Sequence, residues 1–159
     1  MGGLDSSMLV NKLIELGKTI STMESCTSGL IASMITDTEG ASAIFPGAYV
    51  TYSNESKVMA GLDKNIIEEY GVYSRECSIA MAQTAQEKFD TDIAIGITGT
   101  TGNVDPYNCD SIRGKAFFTI IIGKDIYSYE INEEVGGRSR HQIKAMYAHR
   151  VFEKLMNLL

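Results

Sequence analysis

The stretch TISTMESCTSGLIASMI, residues 19–35, joins three kinds of local sequence. Its β-branched start predicts a short strand over residues 19–23. Its end carries apolar residues at helical spacing and predicts a helix over 30–35, with Thr27 or Ser28 as the N-terminal cap. Small hydroxylated residues fill the turn between the two. A strand that leads directly into a helix is a building unit of α/β domains.

Signals for helices and strands alternate along the rest of the chain as well. Further helices are predicted over residues 5–16, from 55 onwards behind Asn54 as cap, and over 64–70, 75–89 and 138–158. Further strands are predicted over residues 48–52, 92–97, 115–122 and 126–131, the last two as a hairpin. This order implies a single α/β domain over residues 1–159, with a mixed sheet of about five strands covered by helices on both faces.

The composition of the chain argues against several classes of protein. A net charge of −6 and a pI of about 4.9 make nucleic acid a poor partner, because an acidic surface repels phosphate backbones. No apolar stretch approaches the roughly 20 residues of a membrane span, and segment 1–10 lacks the features of a secretory signal. Since reduced thiols are the simplest interpretation of Cys26, Cys77 and Cys109, we expect a cytoplasmic protein with no membrane partner.

The histidines and cysteines do not predict a metal site. The two histidines, His141 and His149, are eight residues apart on a predicted helix and so about two turns apart. That separation is too large for both to bind one metal ion unless a third group joins them. The cysteines form no CxxC pair. We therefore predict no metal ligands.

The turn at residues 24–29 is the first candidate for chemistry. Backbone N–H groups at the start of a helix are free to bind an anion. A serine in such a turn, here Ser25, can present its hydroxyl to a pocket while neighbouring N–H groups hold an oxyanion. The same residue types are good helix caps and turn formers, so the pattern alone leaves a purely structural role open. The segment contains neither GxSxG nor GxxxxGK[ST].

Lys57 is the second candidate. If Asn54 caps the helix that follows, Lys57 lies in its first turn, where the helix dipole disfavours a cation. Such a position lowers the pKa of a lysine, and a base that works near neutral pH needs a pKa about three units below 10.4. A solvated surface lysine is the alternative. A Ser–Lys pair needs no histidine, whereas a Ser-His-Asp triad would have to recruit His141 or His149.

A long polar segment over residues 98–111 has no periodicity of its own. Loops longer than about 12 residues inside a compact domain are usually functional or disordered. This segment is therefore a further candidate for part of a binding site.

Five segments of the chain resemble motifs of the CinA C-terminal domain family, which comprises the nicotinamide-nucleotide amidases. MESCTSGL (23–30) and GAYVTYSNESK (47–57) are similar to the family's AESCTGGL and GGxVxYSNxxK. GVYS (71–74), ITGTTG (97–102) and GGR (136–138) resemble its GAVS, TGIAG and GDR. The resemblance covers nearly the whole chain, and the combination of ESCT, YSN and a downstream TGxxG is specific.

The resemblance implies a three-layer α/β/α sandwich and the hydrolysis of nicotinamide mononucleotide to nicotinate mononucleotide and ammonia, a step of pyridine nucleotide salvage. It implies a serine–lysine pair without metal or cofactor, which falls on Ser25 and Lys57. In the implied mechanism, neutral Lys57 takes the proton from Ser25, which attacks the carboxamide and forms an acyl-enzyme. The family also suggests a homo-oligomer, a dimer or larger.

Further site residues follow from the same motifs. Tyr52 is expected to act as a third catalytic residue that orients Lys57 or the substrate. Arg138 matches the GDR arginine and is expected to hold the nucleotide phosphate. The remaining predicted substrate-binding residues are Cys26 and Thr27, whose N–H groups are candidates for the oxyanion hole, together with Gly29, Thr98 and Gly99.

The chain departs from the family pattern around the expected substrate. Ser28 replaces one glycine of the CTGG motif, and Gly137 replaces the aspartate of GDR. This chain has NVDP (103–106) after the segment similar to TGIAG, and SIRG (111–114) where the family has KPVG. Gln142 replaces an arginine that follows GDR in the family. These changes bear on the substrate more than on the Ser25–Lys57 chemistry. Two alternatives stay open: a module of the same fold that binds a pyridine nucleotide without turnover, and an amidohydrolase that acts on another small amide.

Overall fold

The structure, a computed structural model, describes residues 5–159. Residues 1–4, which belong to the predicted domain and to segment 1–10, lie outside the described residues. The helices are α1 (Ser6–Leu16), α2 (Leu30–Thr36), α3 (Asn54–Ala60), α4 (Lys64–Tyr70), α5 (Arg75–Phe89) and α6 (Arg140–Leu158), with a 3₁₀ turn at Ala41–Ala43. The strands are β1 (Ile20–Glu24), β2 (Ala48–Val50), β3 (Ile93–Gly99), β4 (Lys115–Ile122) and β5 (Asp125–Asn132).

The strands form one mixed sheet in the order β2-β1-β3-β4-β5. β1 pairs in parallel with β2 and with β3, whereas β4 pairs antiparallel with β3 and with β5. The predicted mixed sheet of five strands is therefore confirmed, and β4 and β5 form the predicted hairpin.

Helices cover both faces of the sheet. One apolar core packs α1, α2 and α6 against the sheet and includes Ile20, Ile95 and Phe152. A smaller core packs α4 and α5 and includes Met81 and Ala94. The neighbouring strand residues Ala94 and Ile95 belong to different cores, because successive side chains of a strand point to opposite faces. The three-layer α/β/α architecture is confirmed.

The carboxyl ends of β1, β2 and β3 meet at one edge of the sheet, since the three strands are parallel. Glu24 at the end of β1 pairs with Val50 on one side and with Ile97 on the other. The segments that follow the three strands, which begin with Ser25, Thr51 and the long polar loop, therefore lie together. Ligands of open α/β sheets bind at this kind of edge.

Two helix starts differ from the prediction. Ser53 rather than Asn54 caps α3, because its side chain closes a capping box with the third residue of the helix. Helix α6 begins at Arg140, two residues after the predicted start, since Ser139 forms its capping box. Arg138 consequently lies in the connection before α6 and not in the helix.

Candidate active site

Ser25 lies in a sharp turn between β1 and α2. Ser28 and Gly29 both adopt left-handed backbone conformations, with φ of 51° and 90°, the former uncommon for a residue with a side chain. Gly29 is the N-cap of α2 and makes no side-chain cap bond, so the prediction that Thr27 or Ser28 caps this helix is wrong. The two left-handed residues turn the chain so tightly that the helix starts only five residues after the nucleophile candidate.

Glu24 replaces the missing cap. Its side chain is fully buried, and its carboxylate accepts hydrogen bonds from the N–H groups of Ile31 and Ala32, both at 2.9 Å. It also accepts from the hydroxyls of Thr22 at 2.9 Å and Thr27 at 2.7 Å. A buried carboxylate is tolerated when donors surround it in this way. These four bonds direct Glu24 into α2 and hold the turn in place.

Lys57 reaches Ser25 from α3. Its side chain is 1 % exposed, and its Nζ lies 3.3 Å from the Oγ of Ser25. The same Nζ lies 2.8 Å from the carbonyl oxygen of Thr51 and 3.5 Å from that of Ser53. No carboxylate within residues 5–159 comes within 4.0 Å of it. The structure thus brings the predicted serine and lysine into contact without an ion pair at the lysine.

The three neighbours of Nζ can accept the three N–H groups of an ammonium, and they also fit a neutral amine. Carbonyl oxygens can only accept hydrogen bonds, and a neutral amine has two N–H groups and one lone pair. When Thr51 and Ser53 accept the two N–H groups, the lone pair is left for the hydroxyl of Ser25. Lys57 can then take the proton of Ser25, as a general base must.

Burial lowers the pKa of Lys57, because little water is available to solvate the ammonium form. The carboxylates of Asp105 and Glu55 act in the opposite direction. Cys77 and Cys26 would also raise the pKa of Lys57 if they were thiolates, but burial raises the pKa of the Cys26 thiol to about 12 and that of Cys77 to about 11. Both thiols are therefore uncharged at neutral pH, and burial prevails.

Within residues 5–159, two backbone N–H groups beside Ser25 face only the sulphur of Cys26, a weak acceptor. Those of Cys26 and Thr27 have no oxygen acceptor in the part of the chain that the structure describes, whereas the N–H of Ser28 donates to the carbonyl of Ser25 at 3.0 Å. Adjacent N–H groups that lack an oxygen acceptor and lie next to a nucleophile can stabilise the oxyanion of a tetrahedral intermediate. The turn therefore offers the donors that acyl transfer needs.

A cavity of about 840 Å³ opens beside the Ser25–Lys57 pair. Tyr52 on its wall is 60 % exposed, and its hydroxyl accepts a hydrogen bond from Arg140 at 3.2 Å rather than one from Lys57. The predicted site residues that line the cavity are Ser25, Cys26, Tyr52, Lys57 and Gly99.

Other predicted substrate-binding residues do not line the cavity. The hydroxyl of Thr27 donates to Glu24, and that of the fully buried Thr98 donates to the carbonyl of Val72 at 2.9 Å. Gly29 serves as the N-cap of α2. The side chains of Thr27 and Thr98 and the backbone of Gly29 support the turn and the sheet edge, so that the backbone N–H of Thr27 is left for direct contact with a ligand.

Arg138 also lies away from the cavity. Its guanidinium donates to the carbonyl of Glu134 and contacts the sulphur of Met146. Arg140, the first residue of α6, lines the cavity instead. Arg140 and not Arg138 therefore contacts this cavity, and the phosphate role expected of Arg138 stays a prediction.

The polar loop between β3 and β4 supplies much of the remaining wall. Asp105 accepts hydrogen bonds from the hydroxyl of Tyr73 at 2.6 Å, the side-chain amide of Asn108 at 2.6 Å and the N–H of Tyr107 at 2.8 Å. Asn54 of α3 donates to Asn108 at 3.1 Å and ties the loop to the helix that carries the lysine. Sequence reasoning marked the loop but missed these partners, since Tyr73 and Asp105 are 32 residues apart.

The fold and the site define an α/β domain with a buried serine–lysine pair at the carboxyl edge of its sheet. The model of the CinA C-terminal domain family matches residues 5–159, so the chain belongs to this family. The chain is 31% identical over 153 residues to the MG115 homolog of Mycoplasma pneumoniae, covering 96% of this chain and 95% of that protein.

Longer proteins contain the same domain. The chain is 34% identical over 157 residues to a Streptococcus pneumoniae protein named for competence-damage induction; the match covers 97% of the chain but spans only 36% of that relative. Among solved structures, it resembles a CinA superfamily protein from Escherichia coli, with a TM-score of 0.85, 25% identity and coverage of 97% of this chain and 88% of the other. It also resembles a competence/damage inducible protein from Agrobacterium tumefaciens, with a TM-score of 0.84 and 26% identity. That match covers 99% of this chain and 98% of the other.

None of the helices within residues 5–159 combines the length and the apolar character of a membrane-spanning helix.

Proposed function

We propose that the chain is a nicotinamide-nucleotide amidase, which hydrolyses the carboxamide of nicotinamide mononucleotide to nicotinate mononucleotide and ammonia. The observation that carries the proposal is the 3.3 Å contact between Lys57 Nζ and Ser25 Oγ on the wall of a cavity of about 840 Å³. A lysine that is buried without a carboxylate partner is suited to act as a base. The volume lies in the range of small-molecule sites.

In the proposed first step, neutral Lys57 accepts the proton of Ser25 while the serine oxygen attacks the carboxamide carbon. A tetrahedral intermediate forms, and its oxyanion is held by the backbone N–H groups of Cys26 and Thr27. Lys57 then returns the proton to the departing nitrogen, so that ammonia leaves and an ester to Ser25 remains. Water, activated by Lys57 in the same way, hydrolyses this ester and restores the hydroxyl.

The phosphate of the nucleotide is assigned to Arg140. This guanidinium lines the cavity and has no carboxylate within 4.0 Å in the described part of the chain. Its one side-chain hydrogen bond in that part goes to the hydroxyl of Tyr52, a neutral group. A planar guanidinium can bind phosphate through two parallel hydrogen bonds. The proposal therefore replaces Arg138 by Arg140 as the phosphate-binding residue.

Ammonia release tests the proposal and separates it from its alternatives. We expect release from nicotinamide mononucleotide at a higher kcat/KM than from a panel of other small amides. Binding of the nucleotide without any ammonia would identify a binding module of the same fold. Faster hydrolysis of another amide would keep the Ser25–Lys57 chemistry and replace the substrate.

A further inference from the structure

The charges on the cavity wall do not balance once the lysine is neutral. The wall contains the carboxylates of Glu55 and Asp105 and the basic groups of Lys57 and Arg140. With Lys57 unprotonated in the working enzyme, two negative charges face one positive charge. The ionisable groups of the wall therefore sum to a net negative charge, although the proposed substrate carries an anionic phosphate.

Asp105 is the better anchored of the two carboxylates. Its three hydrogen bonds come from Tyr73, Asn108 and the backbone of Tyr107, all neutral donors. Burial opposes ionisation of Asp105, but these hydrogen bonds, with a smaller effect of Lys57 when it is charged, lower the pKa of Asp105, so it is charged at neutral pH. No lysine, arginine or histidine nitrogen within residues 5–159 lies within 4.0 Å of it. The network fixes the carboxylate without cancelling its charge.

The cavity thus has a fixed anion and a separate cation. Asp105 and Arg140 both line it and do not pair with each other. A ligand that fills the space between such groups loses water from both, and it recovers that cost when it carries the opposite charge at each place. The charge of Asp105 also acts on Lys57, the partner of Ser25. A molecule that carries a positive charge on the ring bearing its amide and a separate negative charge matches this arrangement.

We propose that Asp105 makes the site selective for carboxamides attached to a positively charged ring, such as the N-alkylated pyridine ring of a nicotinamide nucleotide. The inference rests on the proposed function and names the part of the substrate that is recognised. A neutral ring in the same place would displace water from the Asp105 carboxylate without supplying a counter-charge. Free nicotinamide and the reduced, dihydropyridine form of the nucleotide both have neutral rings.

Calorimetry on the Ser25→Ala protein tests the inference without turnover. Nicotinamide mononucleotide and its reduced form share the carboxamide, the ribose and the phosphate and differ in ring charge. We expect the oxidised form to bind more tightly. Asp105→Asn, added to Ser25→Ala, should weaken binding of the oxidised form about tenfold, the size of a partly solvated ion pair, and change binding of the reduced form by less than about twofold.

Two control variants separate charge from loop structure. Tyr73→Phe removes one hydrogen bond to Asp105 but keeps its charge, so it should leave the ratio of the two dissociation constants unchanged. Glu55→Gln removes the other carboxylate on the wall. A larger change of the ratio in Glu55→Gln than in Asp105→Asn would overturn the assignment.

Equal weakening of both ligands by Asp105→Asn would also overturn it, because Asp105 would then only hold the loop. Failure of both ligands to bind at millimolar concentration would do the same. The two dissociation constants could show the predicted ratio while the protein with Ser25 intact releases no ammonia. That result would contradict the proposed function but support the charge selectivity of Asp105.

Discussion

Glu24 and Lys57 are both buried beside Ser25 but do not form an ion pair with each other. Glu24 precedes Ser25 in the sequence, and Lys57 contacts its hydroxyl from α3. The carboxylate of Glu24 is occupied by four donors on the side of α2. The Nζ of Lys57 meets two carbonyl oxygens and the hydroxyl of Ser25. A buried lysine that lacks a counter-charge loses its proton more easily, which is the condition that a base requires.

Activity should rise with pH through a group that titrates well below the roughly 10.4 of a free lysine, because burial lowers the pKa of Lys57. The measurement is kcat/KM for ammonia release as a function of pH. Lys57→Arg should be nearly inactive at every pH, since a guanidinium keeps its proton and cannot act as a base. Substantial turnover by Lys57→Arg would show that the position needs only positive charge.

Stability should also depend on pH through Lys57. Its folded-state pKa lies below its unfolded-state pKa, so between the two values the unfolded chain binds more protons and the free energy of unfolding rises with pH. Lys57→Met keeps an unbranched side chain and removes the titration. Relative to this variant, the wild type should gain stability in urea unfolding as the pH is raised from about 7 to about 10. A difference that is independent of pH would mean that Lys57 titrates normally.

Glu24→Gln should destabilise the fold and lower activity. The amide can no longer accept all four hydrogen bonds, so at least one buried donor loses its partner, which costs about 1–3 kcal/mol. Glu39→Gln is the matched control, because Glu39 is exposed. Urea unfolding of both variants measures the difference. Equal stabilities would show that Glu24 does not hold the turn.

Arg140→Ala should weaken binding of the nucleotide in calorimetry much more than binding of free nicotinamide, because only the nucleotide carries a phosphate. Arg138→Ala serves as a paired control, since Arg138 has the same chemistry and lies away from the cavity. The assignment predicts little change for it. A larger loss with Arg138→Ala would return the phosphate role to that residue.

The sequence predicted the element order and the mixed sheet because each element has its own local signal. Asp5 caps α1, and Gly17 ends it in a left-handed conformation, as their positions in the sequence predict. The cap of α2 was predicted wrongly, because Glu24 reaches that helix from the preceding strand and does so only through tertiary structure. Local cap rules do not include such a partner.

The site could be predicted only where a motif marks it. Ser25 and Lys57 stand in motifs and meet in the structure as expected, over a separation of 32 residues. Asp105 belongs to a loop that departs from the family pattern, so no motif indicated its bond to Tyr73. Arg140 was missed because its place depends on where α6 starts, and helix boundaries are read from sequence less reliably than helices themselves.

Hydrolysis of nicotinamide mononucleotide should depend on the hydroxyl of Ser25. The most direct measurement is ammonia release by wild type and Ser25→Ala, with circular dichroism to verify the fold and a metal chelator as a control that should have no effect. We predict that Ser25→Ala is folded and releases no ammonia above background. Retention of more than about a tenth of the wild-type rate, a loss of less than roughly 1.4 kcal/mol in the barrier, would show that Ser25 is not the nucleophile.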